Sequence, residues 1–331
     1  VATKTLDVVG LCNGIVDVFA DISHEDFAPL SLEKGTMRLV TTDEQQSLLE
    51  RFGGQRPVLC SGGSVANSMI ALAQLGGRSA ICTRLADDQF GRFYREECTQ
   101  LGIKVPVPLS NDGATGTCVS LITPDAERTM RTALGVCTAI APQHISADVV
   151  RESEWLFVEG YVFANSDDSR AAIATAIDMA RHSGTKVAIT CSDAWIVTGF
   201  GEHLQSALES TSLLFANEEE SAALSGTSDV VSAGRKLQER FPYLALTAGP
   251  RGAFLWWEGQ EIHVPAFACE PRDLTGAGDM FAGAFLYGIS RGLSPYDAAH
   301  RACFLASKVI SQVGARLKGD IKALWAMQSR S

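Results

Sequence analysis

The sequence of 331 residues has no apolar run near the ~20 residues needed to cross a bilayer, and its start lacks the basic-then-apolar form of a secretory signal. No Cys-x-x-Cys pair occurs. Nine cysteines (12, 60, 82, 98, 118, 137, 191, 269 and 303) are scattered and odd in number, which argues against a disulfide framework or a zinc cluster. Most lie in apolar surroundings and read as reduced, buried, small hydrophobes. Positive charge is scarce, with 28 Lys and Arg against 38 Asp and Glu, a net charge of −10 and a pI near 5.1. A general nucleic-acid binder needs an extended basic surface, so that class is set aside. No P-loop Gly-Lys-[Ser/Thr] is present. The nearest dinucleotide fingerprint, Gly276-Ala-Gly278-Asp-Met-Phe281, lacks its third glycine and comes late in the chain, which argues against a Rossmann dehydrogenase. Repeats and low-complexity tracts are also missing. These absences leave a cytoplasmic protein, monomer or homodimer, with small-molecule partners and neither membrane nor nucleic acid among them.

What is present is a folded composition, 46% hydrophobic and 20% charged, in a chain long enough for one large domain and a smaller insertion. From Trp155 onward short apolar runs alternate with amphipathic stretches: 155–158, 186–191, 212–216 and 243–247 as strands, 168–183, 202–208, 218–224 and 230–241 as helices. That rhythm predicts a mainly parallel sheet covered on both faces. Asp7–Leu11 reads as a buried first strand and Ser79–Arg84 as another. Thr42 is the expected N-cap of a helix over 43–51, and Ser64 that of an apolar helix with the stripe Val65, Met69, Leu72, Leu75. Ser294-Pro295 opens a helix expected to run to about Val313 and stop at Gly314. Segments 15–60 and 105–136 lack the strand-helix rhythm and are assigned to a small β lid, leaving 1–14, 61–104 and 137–331 as the core.

The chemistry centres on Asp273-Leu-Thr-Gly-Ala-Gly-Asp279, directly before a helical stretch. Gly276, Ala277 and Gly278 let bare backbone N–H groups approach an anion, and a helix starting there adds its first-turn N–H groups and dipole. An anion receptor beside a carboxylate suits phosphoryl transfer, with Asp279 accepting the proton of the attacking hydroxyl. A plain turn before a core helix is the competing reading. Near the start, Asn13 and Asp17 follow the first strand, where open α/β sheets bind ligands. Either they hold polyol hydroxyls, or Asp17 faces water from an edge strand. Gly62-Gly63-Ser64 with Asn67 one turn on would lie against a substrate ring or merely pack a core helix.

Two of these stretches together resemble the signatures of the ribokinase-like (PfkB) carbohydrate kinases. They are Asp-Thr-Thr-Gly-Ala-Gly-Asp-x-Phe, departing only at Leu274, and Gly-Gly-x-x-x-Asn heading a helix that ends Leu-Gly. With Asn13-x-x-x-Asp17 the pattern is nearest the adenosine kinase branch. The resemblance spans about residues 7–317. It implies a three-layer α/β sandwich of ribokinase type with a β lid, ATP and Mg²⁺ as cofactors, and K⁺ as a further candidate near Asp273 and Thr275. Asp279 becomes the catalytic base and Gly276 to Gly278 the anion hole, while Asn13, Asp17, Gly63, Ser64 and Asn67 hold the ribose with Gly62 beside them. Arg128 would approach the phosphates from the lid, with Arg131 hanging beside it. Asn217 and Glu220 match the Asn-x-x-Glu element that acts on Mg²⁺ through water. Thr247, Gly249 and Gly252 match the nucleotide loop. Tyr161 or Phe163 could stack on a base, and Leu134 could help enclose it. The implied reaction is ATP-dependent phosphorylation of a primary (5′) hydroxyl on adenosine or another nucleoside. A sugar kinase for ribose or fructose is the alternative, and a non-catalytic binder the remote one. The Gly-Ser-Val-Ala-Asn form, where typical adenosine kinases carry Gln before Asn, is common in sugar kinases.

Overall fold

The computed structural model describes residues 4–51, 57–125 and 127–328; residues 1–3, 52–56, 126 and 329–331, which fall within the segments assigned to core and lid, lie outside the described residues. Thirteen strands are described. In chain order they are β1 (Leu6–Leu11), β2 (Ile15–Asp21), β3 (Met37–Leu39), β4 (Val58–Gly62), β5 (Ser79–Cys82), β6 (Thr115–Ile122) and β7 (Arg128–Gly135). After them come β8 (Ser153–Glu159), β9 (Lys186–Thr190), β10 (Leu213–Asn217), β11 (Tyr243–Thr247), β12 (Ala253–Trp257) and β13 (Gln260–Val264). Eight form one sheet in the order β13-β12-β11-β10-β9-β8-β1-β5, and five form a smaller one in the order β3-β7-β6-β2-β4. In the large sheet β5, β1, β8, β9, β10 and β11 run parallel, and β12 and β13 add an antiparallel hairpin.

The apolar strands are apolar on both sides because both sides are covered. Val8, Trp155, Phe157, Phe215 and Leu255 point into a core shared with the Ser64–Gln74, Ala277–Ser290 and Pro295–Val309 helices. Their neighbours Val9, Leu156, Val158, Leu214 and Trp256 point into a second core under the Asp167–Ser183 and Val230–Leu237 helices. Each such side chain contributes ~1.5–3 kcal/mol on burial, and the period of two fixes the strand register. This is the three-layer α/β sandwich that the resemblance implies, with a second, smaller sheet beside it.

Two features place the site. The strand order reverses at β1, which lies between β5 and β8, so the carboxyl ends of β1 and β8 flank a crevice. Across that end, the Ala277–Ser290 and Ser64–Gln74 helices pack so closely that a Cβ on Gly283 would sit 2.2 Å from the Ser68 carbonyl oxygen. Any larger residue there would separate the two helices.

Several local expectations need correction. Thr41, not Thr42, caps the Thr42–Glu50 helix, in a capping box with Glu44. The Ser64–Gln74 helix is capped by Gly63, without a side-chain hydrogen bond, which frees Ser64 for another role. The Pro295–Val309 helix stops four residues short of Val313, and the Val230–Leu237 helix ends before Phe241. A short Ala194–Gly199 helix and a late Ile321–Met327 helix were not foreseen. β2 is paired on both sides, by β4 and β6, so Asp17 is not on an edge. β4 crosses the expected lid boundary at 60/61.

Candidate active site

The Ala277–Ser290 helix begins at Gly276, whose φ of 80° suits glycine, and no side chain caps it. The Ala277 N–H donates to the Leu274 carbonyl at 3.3 Å, which leaves those of Gly278 and Asp279 for a ligand. A Cβ on Gly276 would meet the Ala315 backbone at 2.6 Å, whereas one on Gly278 would enter open space. Asp279 stands in this first turn. Its Oδ1 accepts from Ser64 Oγ at 2.6 Å and its Oδ2 from Asn67 Nδ2 at 3.1 Å, both from the neighbouring helix. Burial raises the Asp279 carboxyl to about 6, and the two hydrogen bonds restrain the rise. An acid poised there is ionised at neutral pH yet basic enough to take a proton from an alcohol as phosphoryl transfer proceeds.

The acceptor-side residues converge on the same end. Gly63 adopts a φ of 107°, and a Cβ there would lie 2.1 Å from the Asn13 carbonyl oxygen. A Cβ on Gly62 would lie 2.6 Å from the Asp17 carboxylate. Burial pushes Asp17 up to about 6; Arg316 and Arg128 oppose the rise and Asp279 adds to it. Asn13 exchanges side-chain hydrogen bonds with Asn165, the shorter at 2.7 Å.

Two cavities meet at Gly278, Thr247 and Phe281. The smaller, about 180 Å³, lies between Asp279 and the Asn217–Glu220 corner and is also lined by Ser64, Thr190 and Ser192. The larger, about 830 Å³ and mostly apolar, is lined by Gly249 and Gly252 on one side and by Asp273, Ala277 and Ser307 on the other. Glu220 is 5% exposed. Its carboxylate accepts from the Asn217 backbone N–H at 3.0 Å and from Nδ2 at 2.8 Å, closing a capping box at the head of the Glu218–Ser225 helix. Burial raises Glu220 to about 7 against the Asn217 N–H.

Residues 40–321 match the pfkB family carbohydrate kinases. The chain belongs to that family. A fructokinase of Klebsiella pneumoniae is 30% identical over 280 residues, 82% of this chain and 91% of the relative. The crystal structure of adenosine kinase from Sinorhizobium meliloti is 29% identical, with a TM-score of 0.85 over 98% of this chain and 99% of that one. A probable sugar kinase from Rhizobium etli CFN 42 gives 28%, 0.85, 98% and 99%. The protein is thus an enzyme, a phosphotransferase with an alcohol group as acceptor. Among the described residues no helix is long and apolar enough to cross a membrane.

The remaining residues of this kinase divide by where they lie. Arg128, on β7, donates through Nη1 to Asp273 Oδ2 at 2.6 Å, tying the small sheet to the start of the central motif; its Nη2 is buried without a partner. Asp273 also accepts from the backbone N–H groups of Gly314 and Thr275, at 2.7 and 3.1 Å. Burial works against its charge, but these amides and Arg128 hold the carboxyl below its usual range. A K⁺ ion at Asp273 and Thr275 would compete with Arg128 for that carboxylate. Arg131 is 4% exposed and donates to the Thr36 and Met130 carbonyls, so it braces the small sheet instead of hanging over the mouth. Phe163 is 2% exposed and belongs to the second core, packed among apolar side chains, so its ring is not free to stack on a base.

Sequence reasoning missed Glu159. It ends β8, is 1% exposed, and accepts from the backbone N–H of Asn13 at 3.4 Å and of Val65 at 3.0 Å. Burial lifts it to about 8, with those two N–H groups opposing and the Asp279 charge adding. Its signal was an acid closing the apolar run Trp155-Leu-Phe-Val158. Arg316 was missed as well; it lies just past the expected helix stop at Gly314, and its charge acts on Asp17.

Proposed function

We propose that the kinase transfers the γ-phosphoryl group of ATP to the primary (5′) hydroxyl of a ribose-containing acceptor, adenosine first among nucleosides. The observation that carries this is Asp279, half-buried in the first turn of an uncapped helix, lining a small polar cavity that meets a large apolar one at its neighbour Gly278. The large cavity has the size and lining of a nucleotide cleft, with Thr247, Gly249 and Gly252 bringing backbone close to the ligand. The Gly276–Gly278 turn, with the Gly278 N–H as its free donor and Ala277 once released from the Leu274 carbonyl, takes up charge on the moving group, and Asp279 receives the acceptor's proton. Ser64 and Asn67 hold that carboxylate in place. Arg128, released from Asp273, is within the lid's reach of the phosphates.

Among the described residues no cluster of three or more His, Cys, Asp or Glu side chains could hold a metal. The fit is therefore to Mg²⁺ carried mainly by phosphate oxygens and water, with Glu220 of the Asn217–Glu220 corner facing it through water. Bound there, the ion would offset phosphate charge. We take 15–60, which β4 extends to Gly62, and 105–136 as lid segments that close over the crevice and keep water from acting as the acceptor, with the rest of 1–14, 61–104 and 137–331 as the core.

Adenosine is favoured by Asn13 and Asp17 and by the full-length likeness to an adenosine kinase. A second reading, phosphorylation of ribose or fructose, is favoured by the fructokinase likeness and by the burial of Phe163, which leaves only half-buried Tyr161 and Leu134 of the side chains expected around a base. ATP consumption measured with adenosine, inosine, ribose and fructose in parallel tests the choice. Turnover with adenosine is expected; a response to the free sugars alone would end the nucleoside reading.

A further inference from the structure

Residues 314–316 form a strap between the two halves of the site. The Gly314 N–H donates to Asp273, Ala315 lies against Gly276, and Arg316 Nη1 donates to Glu97 Oε1 at 3.0 Å. Glu97 in turn accepts the Ser61 N–H through Oε2 at 2.7 Å, and Ser61 leads directly into Gly62-Gly63. Both side chains of this ion pair are largely shielded, 16% exposed for Arg316 and 25% for Glu97. The remaining guanidinium donors of Arg316, Nε and Nη2, are buried without a partner. A buried donor without a partner is costly, and nothing in the fold of the strap itself requires an arginine there.

Resting on the kinase reading above, we infer that Arg316 is a positioning residue of the acceptor site. Through Glu97 and Ser61 it fixes the Gly62-Gly63 turn, against which the Asp17 carboxylate lies, and so holds that carboxylate as the partner of acceptor hydroxyls. The strap thereby couples the acceptor's seat to the turn that forms the anion hole. The charged and titratable groups facing Asp17 are Arg316, Arg128 from β7 and Asp279, with the thiols of Cys60 on β4 and Cys118 on β6 beside it. Arg316 is first among the charges that oppose the rise of the Asp17 carboxyl.

The test is steady-state kinetics of Arg316→Met and Arg316→Lys against pH. Adenosine is the acceptor, or fructose if adenosine gives no turnover. Failure of the nucleoside reading then appears in the wild type, separate from the outcome for Arg316. Arg316→Met is expected to raise the acceptor KM by roughly tenfold, with the KM for ATP within about twofold of wild type. Removing a cation from beside a carboxylate raises its pKa, so the acid limb of kcat/KM for the acceptor should move to higher pH. Arg316→Lys keeps the charge and should restore most of the limb's position while recovering less of the KM. An unchanged acceptor KM, an unmoved limb, or equal losses toward ATP and acceptor in both variants would overturn the inference. If Arg316→Met does not fold, the Lys variant decides: a wild-type acceptor KM in it, with the limb displaced, would equally refute the role.

Discussion

The Ser64 hydroxyl is the sharpest handle on the chemistry, because it donates to Asp279 Oδ1 at 2.6 Å from the helix the sequence led us to cap with it. A hydrogen bond to a charged group contributes ~1.5–3 kcal/mol, which for a carboxylate corresponds to roughly 1–2 pKa units in favour of the ionised form. Ser64→Ala removes that donor while Asn67 keeps its own bond to Oδ2. The Asp279 carboxyl, held at about 6, should rise by at least about one unit. The base works ionised, so the loss falls on the acid side. Turnover should drop about fivefold at pH 6 and about twofold at pH 7, and approach wild type above pH 8.5. The measurement is kcat from pH 5 to 9 at saturating ATP and acceptor. Asp17 is also held at about 6 and feels Asp279, so the limb belongs to the pair, and the same profile in Asp17→Asn isolates the Asp279 step. A limb that stays put, moves to lower pH, or gives way to a uniform loss at every pH would refute the assignment of Asp279 as the base.

Further outcomes follow from neighbouring residues. Asp279→Asn should retain ATP binding by calorimetry yet lose a factor of roughly 10² or more in kcat, and near-normal turnover would remove the mechanism. Gly63→Ala and Gly278→Ala should part company. The first forces a Cβ to 2.1 Å from the Asn13 carbonyl at a φ of 107° and should cost ~2–4 kcal/mol in denaturant unfolding. The second enters open space, so its melting temperature should hold while kcat falls by ~10², since the new methyl group crowds the anion hole. For Glu159, the folded-state value of about 8 lies above an unfolded value of about 4.3, so the native state holds the extra proton. Its stabilising share is fully present below the unfolded value and is lost as pH rises through about 8. The wild-type melting temperature should therefore fall from pH 6 to 8.5, more steeply than in Glu159→Gln. Parallel curves would show that Glu159 does not carry the slope.

The large sheet was legible because its strands announce themselves chemically. Runs such as Trp155–Val158 and Leu244–Leu246 are apolar at every position, as a strand covered on both faces must be. The central motif was legible for a related reason, since small residues before a helix mean close approach by something, and an acid in its first turn suggests what. Harder were the strands of the small sheet, β4 and the full length of β7, whose mixed composition depends on partners far along the chain.

What the sequence by itself determined is the α/β architecture, the Asp279 turn and the inventory of acids and glycines around it, since each rests on local spacing. Only the tertiary structure decided which of those groups meet. Ser64 became a partner of Asp279 because Gly63 took over the cap and Gly283 let two helices close together. Phe163 was drawn into the core, Arg128 onto Asp273, and Glu159 and Arg316 into the site. Burial and contact between residues hundreds of positions apart set these roles and the carboxyl pKa values, and neither is a property of a linear stretch.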